Sequence, residues 1–255
     1  MDKKLTGVQS IGIKLPIIRE GDDLVNIVVN SVLNTVVNYD EYFDKCVYDI
    51  DGKYVYDIDD KDVIGITESV VARAQGNYVT IDDIVQFLNE MHISKNLILY
   101  SPIMSRNRFS MILKAFARYA DFISIVLNGD YDEQGNPNFG INQFTGVDIQ
   151  KYYKELAAKE NCGLEFISNA LYPLIDKHWR GINFHETFID CRCHPEEADQ
   201  LTLKDIMNQP VNNIVGYNSE YGLLGSNKAT EEKLKLFPEP AKAQQLVEEI
   251  QQRIF

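Results

Sequence analysis

Residues 96–127 read NLILYSPIMSRNRFSMILKAFARYADFISIVL, and this stretch decides the fold class. Its two ends, 96–100 and 121–127, are short and mostly apolar, which is typical of buried strands. Between them, 105–119 has the spacing of an amphipathic helix, because apolar side chains recur on one side: Phe109, Ile112, Leu113, Phe116 and Ala117. A strand, a helix and a second strand in succession favour an α/β or a mixed α+β architecture.

The same alternation continues on both sides of this stretch. A short strand and a helix from about 81 to 91 precede it. A loop at 128–144, rich in Gly, Asn, Asp and Pro, follows it and leads to a helix at 148–160 and a strand at 163–168. We therefore predict a mixed sheet with flanking helices in a single domain over 1–255, with a sub-boundary near 128–146 as the alternative.

The two ends of the chain are less regular. Residues 11–18 predict a strand, and Gly21-Asp22-Asp23 then predicts a helix start, because an aspartate can accept from the free N–H groups of the first turn. The β-branched run at 63–71 predicts another buried strand. Towards the C-terminus we predict a helix at 196–207, a glycine-bearing loop at 216–226 and two short helices separated by Pro238 and Pro240.

Composition and charge exclude several classes of protein. Hydrophobic residues make up 45% of the chain and charged residues 25%, a balance typical of folded globular proteins. The formal charge of −13 argues against broad binding to nucleic acid or to an anionic membrane. A local basic pocket for a phosphorylated small molecule remains compatible with that charge.

The expected location is the cytoplasm. The first seven residues lack the apolar core of a secretory signal. No apolar run approaches the roughly 20 residues that span a bilayer. Four cysteines in 255 residues do not form the framework of a disulfide-rich protein.

Two stretches carry the first functional signal: GIKLPIIREGDDL at 12–24 and DVIGITESVVARAQG at 62–76. Each brings polar groups to the end of a predicted strand. A helix N-terminus beside Lys14, Arg19 and Arg73 could hold phosphate through exposed N–H groups and positive charge. The alternative is an ordinary helix cap with surface cations.

These stretches resemble the N-terminal signature of the coenzyme F420-0:L-glutamate ligase family, in which GxPxIxxGDDL is followed by GDVLVxxxxxxSKAEG. The matching positions are 15–18, 21–24, 62–64 and 73–76. In that family the Leu-Pro-Ile-Ile stretch and polar residues after the second strand contact the nucleotide. The resemblance therefore implies nucleotide contacts for Leu15, Pro16, Ile17, Ile18, Glu68, Ser69 and Arg73, with Arg73 standing where the family has lysine.

Further stretches resemble a bacterial branch of the same family: SPIMSRNRFS at 101–110, FTGVD at 144–148 and YGLLGSNKAT at 221–230. Asp148 is the best match to the metal-binding aspartate of the archaeal AGIDxSN motif. The archaeal SDTxGRxxRxG motif is absent. The resemblance implies that Asp148 binds a divalent metal and that Arg106 and Lys228 contact phosphate or carboxylate groups in catalysis.

Each of these residues also has a structural interpretation. Ser105 could cap a helix whose start leaves Arg106 in solvent, and Thr145 with Asp148 could be a simple N-cap pair. The glycine-rich stretch at 222–230 lacks the spacing of a phosphate-binding P-loop, so it could be a plain loop.

The densest set of metal-ligating side chains is His185, Asp190, Cys191, Cys193 and His194. Their Cys-x-Cys-His spacing is not the paired Cys-x-x-Cys of structural zinc sites. The alternation through Phe188 favours core thiols on a buried strand. Nothing in the spacing supports Cys191 as a nucleophile.

The activity that the resemblance implies is formation of a gamma-glutamyl-type amide. GTP or another nucleoside triphosphate would phosphorylate a small-molecule carboxylate acceptor with the help of Mg²⁺ or Mn²⁺, and an amino acid would attack the acyl phosphate. The family is dimeric, so a homodimer is implied, with no nucleic acid or membrane partner. The alternatives are a non-catalytic nucleotide- or cofactor-binding protein of the same fold and an amidoligase with a substrate other than F420-0.

Overall fold

The computed structural model describes residues 10, 12–35, 47–48, 54–55, 58, 61–100, 104–127, 129–131, 135, 137–167, 188–189 and 201–254. The chain divides into two compact units. The first is Met1–Gly76 with Ala241–Phe255, and the second is Asn77–Pro240. The loop that follows the central strand–helix–strand stretch lies within the second unit.

The described residues contain the following helices and strands, and each set is numbered in chain order. The helices are α1 (Leu24–Leu33), α2 (Glu68–Ala74), α3 (Ile81–Glu90), α4 (Arg108–Tyr119), α5 (Ile149–Lys159) and α6 (Pro240–Ile254). The strands are β1 (Val47–Tyr48), β2 (Tyr54–Val55), β3 (Tyr78–Thr80), β4 (Asn96–Tyr100), β5 (Phe122–Val126), β6 (Gly163–Ile167), β7 (Phe188–Ile189), β8 (Leu201–Thr202), β9 (Ser226–Thr230) and β10 (Lys233–Leu236). No helix in these ranges has both the length and the hydropathy needed to cross a bilayer.

In the first unit, α1 begins where the sequence predicts it. The Asp23 carboxylate accepts from the backbone N–H of Asn26 at 3.0 Å, and this hydrogen bond lowers the pKa of Asp23. The buried face of α1 belongs to a small core that also contains Ile18 and side chains of α2 and α6. The buried residues of this core are Ile18, Leu24, Val28, Val29, Val32, Val71, Ala74 and Ile250.

The predicted strands at 11–18 and 63–71 are wrong. The described part of the first stretch has no regular structure, and the second is irregular up to Thr67 and then becomes α2. Val71 and Ala74 lie three residues apart on one face of α2, and both are buried. Burial at helical spacing therefore overrides the strand propensity of the β-branched residues.

The centre of the second unit is a parallel sheet of order β4-β5-β6. The chain returns from β4 to β5 through α4 and from β5 to β6 through α5, as parallel pairing requires. The five apolar residues predicted on one side of α4 are all at most 1% exposed. The predicted α/β or mixed α+β fold is confirmed.

A second sheet of order β3-β10-β9 is antiparallel, so parallel and antiparallel strands lie in separate sheets of this unit. The described part of the predicted helix at 196–207 is wrong, because β8 pairs with β7. Of the two predicted C-terminal helices, the one before Pro238 is wrong and the one after Pro240 is confirmed. Leu234 and Leu236 alternate into the core as part of a strand, and one helix, α6, then starts at Pro240, where the missing N–H is tolerated.

Candidate functional site

An open pocket of about 260 Å³ lies in the first unit. Its walls are mostly apolar, with one hydroxyl and one guanidinium among them. Its lining residues are Leu15, Pro16, Ile17, Ile18, Ser69, Val70 and Arg73. A mostly apolar concavity with a few polar groups is the usual composition of a small-molecule site.

One wall is the irregular segment 15–18. The proline ring fixes its own φ and keeps Leu15 out of the helical region, so the segment stays extended. Ile18 points into the core and is 6% exposed, whereas Ile17 is 80% exposed. The segment is therefore anchored at one residue and leaves its neighbour open to a ligand.

The other wall is the exposed face of α2. Ser69 and Arg73 are four residues apart, so their side chains lie on the same side of the helix, while Val71 and Ala74 face the core. Arg73 itself is exposed. The helix therefore presents a hydroxyl and a cation to the ligand side.

A turn fastens the two walls together. The backbone N–H of Gly21 donates to the carbonyl of Ala74 at 2.9 Å, and Gly21 has φ +80. Gly76 has φ +65, and a Cβ there would lie 2.6 Å from the Glu20 side chain. The positive φ at both positions favours glycine, and the two glycines join the turn after the first wall to the end of α2.

The pocket thus brings together six of the seven residues for which the resemblance implies nucleotide contact. The seventh, Glu68, is exposed at the start of α2 and is not part of the lining. Val70 lines the pocket and was not predicted. A strand would direct Ser69 and Val70 to opposite faces, so only the prediction of a helix at 68–74 would have put both residues on the pocket side.

Asp148 caps α5. Its Oδ1 accepts from the backbone N–H of Lys151 at 3.0 Å, as the N-cap interpretation expects. In the portion of the chain that the structure describes, no three His, Cys, Asp or Glu side chains are grouped closely enough to hold a metal ion. Asp148 therefore has no set of described co-ligands. The cluster His185, Asp190, Cys191, Cys193 and His194 lies outside the described residues, although Phe188 does belong to a strand.

Lys228 lies on β9, not in a flexible loop. Its ammonium forms an ion pair with Glu231, and this hydrogen bond lowers the pKa of that carboxylate. The Lys228 side chain is 27% exposed and the Glu231 side chain 82%. Because such surface pairs contribute roughly 0–1 kcal/mol, a ligand could take over Lys228 at little cost.

The start of α4 carries two arginines in different surroundings. Arg106 is exposed, with its guanidinium carbon 6.0 Å from the centroid of the Tyr152 ring. Arg108 is partly buried, and its Nη1 donates to the carbonyl of Leu224 at 2.9 Å. Burial lowers the pKa of the Arg108 guanidinium. The sequence places both arginines near the start of the same helix, and only the packing shows that one is exposed and the other partly buried.

Comparison with known proteins identifies the family. The family model described as F420-0:gamma-glutamyl ligase matches residues 12–255. No curated protein and no solved structure matches the chain. Since the family match covers all but the first eleven residues, the chain belongs to the F420-0:gamma-glutamyl ligase family, and this membership indicates a ligase.

Proposed function

We propose that this protein is a nucleotide- and divalent-metal-dependent ligase that joins a small-molecule carboxylate to an amino acid through a gamma-glutamyl-type amide bond. The observation that carries the proposal is the pocket of the first unit. It gathers four residues of segment 15–18 with Ser69 and Arg73, the residues to which the motif resemblance assigns nucleotide contacts. We name GTP as the expected nucleotide, with other nucleoside triphosphates as alternatives.

In the proposed reaction, an oxygen of the acceptor carboxylate attacks the γ-phosphorus. The bond from that phosphorus to the bridging oxygen breaks, and the nucleoside diphosphate leaves. The amine of the amino acid then attacks the carbonyl carbon of the acyl phosphate. The carbon–oxygen bond to phosphate breaks, inorganic phosphate leaves and the nitrogen loses a proton, which leaves an amide.

Within this proposal the apolar walls exclude water from the nucleoside end of the nucleotide, and Arg73 pairs with its negative charge. Arg106 and Lys228 are the proposed cationic residues for phosphate or carboxylate oxygens. Arg106 is exposed just before α4, and Lys228 is half-buried but pairs only with a mostly exposed glutamate, so both cations are available to a ligand.

The divalent ion, Mg²⁺ or Mn²⁺, is proposed from the family resemblance, with Asp148 as one ligand. When bound, such an ion would neutralise phosphate oxygens. The described residues do not complete a coordination shell around Asp148, so we derive no step through the ion. The homodimer and the cytoplasmic location likewise stay predictions.

The direct test is calorimetric titration of the full chain with GTP, GDP and ATP, with and without Mg²⁺ or Mn²⁺. We expect metal-dependent micromolar binding, followed by phosphate release when an acceptor carboxylate and glutamate are added. Binding without turnover across a panel of acceptors would indicate a non-catalytic nucleotide-binding protein. The absence of binding by any nucleotide under either condition would contradict the proposal.

Arg73→Ala is expected to weaken nucleotide binding by roughly 1.5–3 kcal/mol, which is about 10- to 150-fold, because the variant loses a charge-assisted hydrogen bond. The matched control is Arg253→Ala, which truncates an arginine of α6 that forms an ion pair with Glu249. Titration of both variants with the same nucleotide checks the prediction. Equal affinities in the two variants would remove Arg73 from the site.

Asp148→Asn separates the two roles of this residue. Asparagine caps helices about as well as aspartate, so the α5 start and the unfolding midpoint should be preserved. The neutral amide is a poorer ligand for Mg²⁺ or Mn²⁺, so metal-dependent turnover should fall at least 10-fold. Asp148→Ala should lose about 1 kcal/mol of stability as well. Unchanged turnover in Asp148→Asn would leave the residue a helix cap alone.

A further inference from the structure

Arg108 is a partly buried cation whose positive charge has few polar partners among the described residues. It is the first residue of α4. Among the described residues, its side chain forms one hydrogen bond, to the Leu224 carbonyl. A guanidinium has five N–H donors. In the same described part of the chain, no carboxylate forms an ion pair with Arg108.

A second arginine of the same helix shows the contrast. Arg118 binds both carboxylate oxygens of Glu160, at 2.9 and 3.0 Å, and also contacts Asp82 at 2.8 Å and Glu232 at 3.3 Å. These carboxylates raise the pKa of Arg118, while burial alone lowers that of Arg108. Helix α4 therefore carries one arginine that is paired with carboxylates and one, Arg108, for which the described residues supply no carboxylate.

The acceptor that orients Arg108 is itself rigidly held. The N–H of Leu224 donates to the Tyr221 carbonyl at 2.8 Å, and the N–H of Leu223 donates to the Leu203 carbonyl at 2.8 Å. Gly222 has φ +47, and a Cβ there would lie 2.4 Å from the Ile206 carbonyl oxygen. The carbonyl that accepts from Arg108 Nη1 therefore belongs to a turn held by backbone hydrogen bonds.

A partly desolvated charge without a counterion is unfavourable, and proteins keep such groups chiefly where a ligand supplies the opposite charge. The planar fork of arginine matches the two oxygens of a carboxylate or a phosphate. We propose that Arg108 is a further anion-binding residue of the second unit, beside Arg106 and Lys228 in role, and takes an oxyanion from a substrate of the ligase reaction. This inference rests on the proposed function, which supplies both kinds of oxyanion.

The test is titration of the full chain at constant ionic strength with three probes: inorganic phosphate, tripolyphosphate and L-glutamate. Binding is measured by calorimetry and by the shift in melting temperature. We expect saturable binding to the wild-type protein, weakened at least 10-fold in Arg108→Gln and unchanged in the control Arg253→Gln. A response to the phosphates assigns the subsite to the nucleotide, and a response to glutamate assigns it to the amino acid or the acceptor.

The melting temperature without ligand distinguishes a binding role from a structural one. Removal of an uncompensated charge should leave the melting temperature of Arg108→Gln equal to or above that of the wild type. Arg108→Lys keeps the charge but loses the fork, so its anion binding should fall about 10-fold with the fold intact. If Arg108→Gln does not fold, the anion affinity of Arg108→Lys tests the proposal in its place.

Equal anion affinity in the wild type and in these variants would overturn the inference. So would a wild type that binds none of the three probes while it still binds nucleotide, and this result would leave the proposed ligase function standing. Loss of nucleotide binding in every protein tested, with Arg108-dependent anion binding retained, would instead contradict the proposed function and keep the anion subsite.

Discussion

Asn218→Asp is expected to lower the free energy of unfolding by about 4 kcal/mol at pH 7, because it places a carboxylate against two carbonyl oxygens in the interior. Asn218 is 0% exposed. Its Nδ2 donates to the carbonyls of Phe237 at 3.3 Å and Pro238 at 2.8 Å. An ionised carboxylate has no proton to donate there. The Pro238 carbonyl would lose the donor that the described residues give it, while the Phe237 carbonyl would keep only Asn77 Nδ2, at 2.7 Å.

The loss should depend on pH with a definite sign. Oδ1 of Asn218 accepts from the N–H groups of Glu220 at 3.1 Å and Tyr221 at 2.7 Å, and a new carboxyl group could still accept both. Its protonated form could also donate to a carbonyl, so the folded state raises the pKa of the carboxyl. The destabilisation should therefore be small below the unfolded-state pKa of about 3.9 and grow as the pH rises through the folded-state pKa.

Urea unfolding of the wild type and the variant between pH 4 and pH 8 measures this difference. Asn227→Asp is the matched control, since Asn227 is exposed on β9. The control should change the unfolding free energy by less than about 0.5 kcal/mol. A loss in Asn218→Asp that is the same at every pH would show that shape, not charge, is what position 218 requires.

Gly216→Ala is expected to cost about 3 kcal/mol or more, because two backbone segments of the second unit pass too closely for a methyl group. A Cβ at position 216 would lie 2.0 Å from the carbonyl oxygen of Tyr78, and Cβ contacts below 3.0 Å are essentially never found. The carbonyl cannot rotate away like a side chain. One segment must therefore move by about 1 Å.

Neighbouring hydrogen bonds resist that movement. Asn77 donates from Nδ2 to the carbonyl of Tyr217 at 2.8 Å and accepts at Oδ1 from the N–H of the same residue at 3.1 Å. Gly65→Ala is the matched control, because a Cβ at position 65 meets nothing within 4 Å. Thermal and urea unfolding of both variants provide the comparison. A Gly216→Ala protein as stable as Gly65→Ala would mean that the two segments separate freely.

The sequence predicts the centre of the second unit well, because the signal there is local. In α4 the apolar residues recur at helical spacing, and the same residues are buried in the structure. Strands β4, β5 and β6 are short apolar runs between clear breaks. In each of these elements, the pattern of apolar residues along the sequence reflects which side chains of that same element are buried.

Prediction fails where distant residues decide the local structure. The run at 63–71 is β-branched, yet the described residues give Val71 no strand partner and bury it against α1 and α6 instead. Likewise, β9 carries polar residues and becomes a strand because it pairs with β10. Neither neighbour can be read from the local sequence, since strand pairing and helix packing join residues far apart in the chain.

By itself the sequence determined the family, the mixed α/β class and which residues match the family's N-terminal motif, because these depend on residue identity and short-range spacing. Only the tertiary structure decided that Ser69 and Arg73 face one pocket with segment 15–18, while Glu68 does not. It also decided that Arg118 is paired with carboxylates, whereas Arg108 meets none in the part of the chain that the structure describes. Burial and charge pairing are properties of packed surroundings, and a linear pattern does not contain them.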